Sequence, residues 1–292
     1  MRILILSLVL LIFSFGYSKP LIVSTIKPLS DIAKAVGKDK IVAKYIIPPS
    51  APVHFYEYKI SDIKNVISAD IFIYIGSGEP NINNLIKHVK PEKRLLVSGL
   101  PQLVKITTFE FEGEEKHHEE DHNHEGSIHP AVWLDPYNAK VIAKAVYEKL
   151  SKIDPSNNDF YKKNLDQFSS ECDQLIKFGT SKFSKLKNKN FISYHYTFPY
   201  FVKRFGLVYL DVIELGHGRE PTPKHIMEII RKIKKFKIKS IFASKQFYNP
   251  RYGRLIKNAT NINIVFLDPF GIDKKYIPMM NQLINDIYTG LK

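Results

Sequence analysis

Cysteine is almost absent from this chain. Cys172 stands alone among 292 residues, so no intramolecular disulfide can form and a disulfide-stapled scaffold is excluded. Long apolar runs are as scarce: one exists, at the N-terminus, which excludes a polytopic membrane protein. Acidic groups are the minority, with 29 Asp and Glu against 43 Lys and Arg and a formal net charge of +14. Core-forming material is plentiful, at 44% hydrophobic and 12% aromatic, which excludes intrinsic disorder of the whole chain. At roughly 150 residues per domain the length suits two core-forming units.

The one apolar run begins after Arg2 and extends from Ile3 to Phe15, broken only by Ser7 and Ser14. Gly16-Tyr17-Ser18 then sets small residues at the −3 and −1 positions of a cleavage site. This pattern predicts a secretory signal peptide over residues 1–18, too short to span a bilayer as a permanent anchor. No cysteine follows the run, so lipid attachment through an N-terminal cysteine is not expected. The basic surplus would suit a polyanion. Its lysines, however, are scattered through amphipathic segments such as Ile229 to Lys239, where a solvated face accounts for them, and export removes a genomic target. A nucleic-acid partner is therefore not expected.

The remainder alternates short β-branched runs with helical periodicity, which predicts an α/β architecture with mostly parallel sheets. Strands are expected at Leu21–Thr25, Ile41–Ile47, Asp70–Ile75 and Arg94–Ser98, and again at Phe191–Tyr194, Val208–Ile213, Ser240–Ala243 and Asn263–Leu267. Helical patterns lie between them, so the chain reads as two similar lobes, residues 19–135 and 189–292. The intervening residues 136–188 hold two helices, each opened by Asp-Pro at Asp135-Pro136 and Asp154-Pro155, an acceptor at the cap with proline in the first turn. The apolar spacing of Tyr161, Leu165, Phe168, Cys172, Leu175, Ile176 and Phe183 predicts a second helix of about 30 residues, roughly 45 Å of stiff backbone.

One segment, residues 110–128, departs from this pattern: His117, His118, His122 and His124 sit among eight carboxylates with no apolar periodicity. It reads as an exposed, mobile loop able to hold metal weakly. Of the six other histidines, His88 and His225 read as surface residues and His217 as part of a Gly-His-Gly turn. Three stand at element ends: His54 after Pro48-Pro49-Ser50-Ala51-Pro52-Val53, His129 before the Asp135 cap, and His195 directly after a strand. Loops at the carboxyl ends of parallel strands are where α/β folds place ligand sites. Asp268, in Leu267-Asp268-Pro269, also ends a strand and is a candidate fourth ligand, with a turn cap as its structural alternative.

These surroundings resemble a known family. His54 with its proline-rich approach, His129-Pro130-Ala131-Val132-Trp133-Leu134-Asp135-Pro136, and His195 with Tyr200 to Leu207 are similar to the metal-binding solute-binding proteins of ABC importers (cluster A-I), in the ZnuA-like zinc branch. Glu220-Pro221-Thr222-Pro223, Phe242 to Phe247 and Leu267 to Gly271 extend the resemblance over nearly the whole mature chain. It implies two lobes joined by a long rigid backbone helix, with metal held in the cleft by His54, His129, His195 and Asp268. Ser244-Lys245 stands where the family commonly has an acidic residue and proline, which removes one expected acidic group from the site region.

Three imidazoles and one carboxylate suit tetrahedral Zn2+, whereas manganese prefers oxygen-rich octahedral sites. The resemblance thus implies a periplasmic, monomeric zinc-binding protein that passes Zn2+ to an ABC permease and its ATPase, with no chemical turnover. A manganese- or iron-type relative and a periplasmic zinc buffer are the alternatives. A zinc hydrolase is disfavoured, because no His-Glu-x-x-His pair occurs and Asp268 would fill the position a catalytic water needs.

Overall fold

The computed structural model describes residues 18–107, 128–214 and 220–292. The expected leader, the histidine-rich segment with His117, His118, His122 and His124, and His217 fall outside the described residues.

Two parallel four-stranded sheets carry the fold. In the first, β1 (Leu21–Ile26), β2 (Val42–Ile47), β3 (Ile71–Tyr74) and β4 (Arg94–Leu96) lie in the order β2-β1-β3-β4. The intervening helices are α1 (Lys27–Gly37), α2 (Ile60–Ser68) and α3 (Ile82–Ile86). Next come α4 (Pro136–Ile153) and α5 (Asn158–Phe183). The second sheet repeats the plan, with β5 (Asn190–Ser193), β6 (Val208–Val212), β7 (Ser240–Ser244) and β8 (Asn263–Leu267) in the order β6-β5-β7-β8. Its helices are α6 (Pro199–Arg204), α7 (Pro223–Lys235), α8 (Pro250–Thr260) and α9 (Tyr276–Leu291). The strand pairings within both sheets are parallel, so each sheet points its carboxyl edge, and the loops that follow it, in a defined direction. The two-lobe α/β class expected from the alternating pattern is the one observed.

Helix α5 is 26 residues long, about 39 Å at 1.5 Å per residue, shorter than its apolar pattern suggested. Asp154 does not cap the long helix directly. Its carboxylate takes hydrogen bonds from Ser156 Oγ, Asn157 Nδ2 and Tyr161 Oη, holding Pro155–Asn157 in a 3-10 turn before α5 begins. Asp135, by contrast, caps α4 as its Asp-Pro signature implies, accepting from the Tyr137 amide at 2.9 Å. Gly179 lies inside α5 because a Cβ there would come within 2.3 Å of the Phe205 ring; the close approach of α6, and no flexible joint, requires the glycine.

One continuous apolar core runs from the first sheet through α4 and α5 to Phe191, Phe242 and α9 of the second half. Polar bonds stitch the same seam. Trp133 Nε1 donates to Pro269 O, Tyr276 Oη to Trp133 O, and Lys27 Nζ to Lys274 O. Arg204 grips Asp135 with two bonds of 2.6 and 2.8 Å. A core shared in this way resists wide hinge opening, because separating the lobes would expose packed apolar surface. Among the described residues no helix is long and apolar enough to cross a membrane.

Candidate metal-binding site

Each proposed ligand follows the carboxyl end of a strand or precedes a helix cap, and the sheets bring two of them face to face. After β2, the chain rises through its proline-rich loop into a 3-10 turn, Val53–Phe55, that carries His54. His54 Nδ1 donates to Gly78 O at 3.2 Å, in the loop after β3. From the opposite lobe His195 follows β5, with Nδ1 against Thr197 Oγ1 at 2.9 Å. The two imidazole centroids are 5.6 Å apart. In each ring the Nδ1 edge is oriented by the protein.

His129 is buried behind them. Its backbone N–H donates to Ile106 O and its carbonyl accepts from Tyr200 Oη, which itself accepts from the Ile106 amide. The ring is turned toward the second lobe: Nε2 donates to Tyr196 O at 2.8 Å, and Nδ1 accepts from the Ala131 amide at 3.3 Å. Burial pushes the imidazole down to about 4, helped by the nearby His54, so it is neutral at physiological pH. With both nitrogens engaged, His129 would have to surrender the Tyr196 bond before Nε2 could ligate. Among the described residues, no three His, Cys, Asp or Glu side chains are set to hold one metal ion together.

Asp268 ends β8 with both carboxylate oxygens facing its own turn. Oδ1 accepts from the amides of Phe270 at 3.2 Å and Gly271 at 2.9 Å, and Oδ2 from Ile272 at 2.6 Å. The structure thus gives Asp268 the turn-capping role that was its structural alternative. His225 is no surface residue; its side chain is 16% exposed and Nε2 donates to Val212 O at 2.7 Å.

Two residues near the histidines had drawn no functional reading. Glu79, after β3, is buried and accepts from Thr25 Oγ1 and from the amides of Ile75 at 3.0 Å and Gly76 at 2.8 Å. It pins the turn whose Gly78 carbonyl orients His54. Desolvation pushes its carboxyl up to about 7 against those three donors. Its signal was present as an acid between Gly78 and Pro80 at a strand end, but the pattern resembled an ordinary loop. The other is Phe247, whose ring stacks on His195.

A pair of parallel α/β lobes sharing one core, with imidazoles meeting between them, defines a two-lobe solute-binding protein. Residues 22–290 match the family described as "Zinc-uptake complex component A periplasmic", and the chain belongs to that family, whose members serve ABC transporters as their metal-binding components. The high-affinity zinc uptake system protein ZnuA of Yersinia pestis is 27% identical over 305 residues, covering 98% of this chain and 96% of the relative. The manganese ABC transporter substrate-binding lipoprotein PsaA of Streptococcus pneumoniae is 27% identical over 284 residues, covering 92% of this chain and 88% of its own. A ZnuA crystal structure superposes with a TM-score of 0.80 at 22% identity, covering 94% of this chain and 100% of that one, a likeness of fold.

Proposed function

We propose that this protein captures Zn2+ outside the cytoplasm and delivers it to the permease of an ABC importer. In this reading residues 19–135 and 189–292 form the lobes and residues 136–188 the strut. His54, His129 and His195 are the ligands, and Asp268 contributes from its turn. The observation that carries the reading is the convergence of His54 and His195 from opposite lobes at 5.6 Å, with neutral His129 adjacent. An imidazole set favours zinc and its late-row neighbours over manganese, and a ring already neutral needs no proton removed before it ligates. Capture exchanges the His129–Tyr196 bond for a metal bond, and the ring proton moves from Nε2 to Nδ1, which then releases the Ala131 amide it had accepted from, so loading and interlobe contact are linked at one side chain. The lobes shift slightly about the strut, since the shared core opposes wide closure.

Export by a cleaved leader is part of the proposal. Several streptococcal relatives are named lipoproteins. Here the one thiol, Cys172, is buried in α5 and pushed up in pKa by that burial, an unsuitable lipid attachment point. His117, His118, His122 and His124 would add weak zinc equivalents outside the main site. A manganese reading has one observation in its favour, the equal 27% identity of a manganese transporter's binding protein.

Competition calorimetry on the mature chain, offering zinc against manganese, tests both. Zinc should bind the more tightly, and His129→Ala or His195→Ala should weaken it at least tenfold, about 1.4 kcal/mol. Unchanged zinc affinity in either variant removes that histidine from the site, and tighter manganese binding overturns the zinc reading.

A further inference from the structure

Between β7 and α8 the chain makes a short turn, Ser244-Lys245-Gln246-Phe247, closed by the Phe247 amide donating to Ser244 O at 3.1 Å. Two of its side chains work across the cleft. Gln246 Nε2 donates to Pro49 O at 2.6 Å, in the proline-rich loop of the opposite lobe that leads to His54. The Phe247 ring lies flat on His195, with centroids 4.1 Å apart and planes inclined by 12°, and it also reaches His54 at 5.9 Å. The next residue fixes the turn: Tyr248 packs edge-on against Tyr194 at 5.3 Å and Phe266 at 4.9 Å, and Gly253 leaves the room its hydroxyl needs. Phe247 is thus a held ring, half-buried, anchored on both sides.

We infer that Phe247 is a specificity-determining residue, an apolar wall that fixes the His54–His195 pair and keeps water off one side of the metal. This rests on the histidine site proposed above. A ring stacked on an imidazole while Thr197 holds its Nδ1 edge restricts rotation, so His195 offers Nε2 along one direction. The same ring brings no donor atom to the flank it covers. A four-coordinate ion loses nothing there, whereas an ion that needs six oxygen-rich ligands loses positions that water would otherwise fill. The wall therefore selects by coordination number, a second filter beyond the chemistry of the imidazoles.

The test uses the mature protein with Phe247→Ala, Phe247→Leu and Phe247→Tyr. Zinc and manganese affinities are measured by competition, and bound Co2+ reports coordination number through its visible absorption. Thermal melting establishes that each variant is folded, and Leu keeps apolar bulk if the Ala variant does not fold. Removing the flat ring should weaken zinc about tenfold, leave manganese unchanged or tighter, and lower the cobalt band as water enters. The Tyr variant, which retains the ring, should restore wild-type behaviour. An unchanged zinc-over-manganese ratio and cobalt band in the Ala and Leu variants overturns the proposal, as does an equal loss for both metals, which would mark a merely structural ring. If wild-type zinc binding persists in His195→Ala, the histidine site itself is wrong and the wall falls with it. A His195-dependent site that ignores Phe247 sinks the wall alone.

Discussion

Replacing Asp135 by alanine should cost this protein about 3 kcal/mol, and the sum follows from what the carboxylate does. It is 2% exposed, caps α4 through the Tyr137 amide, and receives both Nε and Nη2 of Arg204, a residue of the opposite lobe. Losing a helix cap costs about 1 kcal/mol. Removing one partner of a buried ion pair costs about 3–5 kcal/mol when the other charge is left stranded. Arg204 is 25% exposed and also rests over the Tyr137 ring, so it regains water, and roughly half of that penalty applies. Urea unfolding of wild type, Asp135→Ala, Arg204→Ala and the double variant gives the coupling directly. The pair should be coupled by about 2 kcal/mol, and Asp135→Asn, which keeps an acceptor for the cap, should fall between wild type and alanine. A loss below about 1 kcal/mol for Asp135→Ala, or no coupling, would refute the claim that this pair ties the lobes.

Three further outcomes are expected. Gly179→Ala adds a helix-favouring methyl but drives it into Phe205, itself wedged between Phe183 and Phe201; overpacking of about 1–3 kcal/mol outweighs a gain of about 1, and Phe205→Leu in the same chain should restore the melting temperature. Asp268→Ala strands three amides and should destabilise the fold by about 1–3 kcal/mol, while weakening zinc less than His195→Ala because water replaces a lost carboxylate; calorimetry showing the larger loss at Asp268 reverses that order. Glu79 should titrate near 7 by carboxyl carbon NMR, and Thr25→Val, by removing a donor to the ionised form, should push it higher. Since its folded pKa is raised, its stabilising contribution is full below about 4.5 and lost as pH rises through 7, and a carboxyl titrating at its ordinary value contradicts the burial argument.

Much of this protein is written locally. Short β-branched runs marked the strands, because the central strands are buried on both faces, and period-3.6 apolar spacing marked the helices, because each buries one face. Asp135-Pro136 announced a cap because the proline's missing N–H and the aspartate's oxygen act within one turn. The start of α5 was misread for a related reason: Asp154-Pro155 carries the same dipeptide, but the Asp154 carboxylate is taken by Tyr161 and its neighbours, and an intervening 3-10 turn uses three residues. Sequence also separated His54, His129 and His195 from the other histidines by their places at element ends.

Only the tertiary structure decided what those side chains do. Histidine geometry depends on what holds the ring nitrogens: Thr197 Oγ1 is only two residues from His195, whereas Gly78 O and Tyr196 O lie 24 and 67 residues from His54 and His129, separations that no spacing reveals. The same holds for Phe247, read along the chain as one more apolar residue, and for Gln246, whose partner Pro49 lies 197 residues away. Asp268 shows the converse, since Leu-Asp-Pro is compatible with a ligand or a cap and the three amides around its carboxylate are visible only in the folded turn. Local chemistry fixes where a backbone turns and which faces are apolar. Which atoms meet across two lobes is set by how the sheets and strut pack, because those contacts exist only once the shared core has excluded water between them.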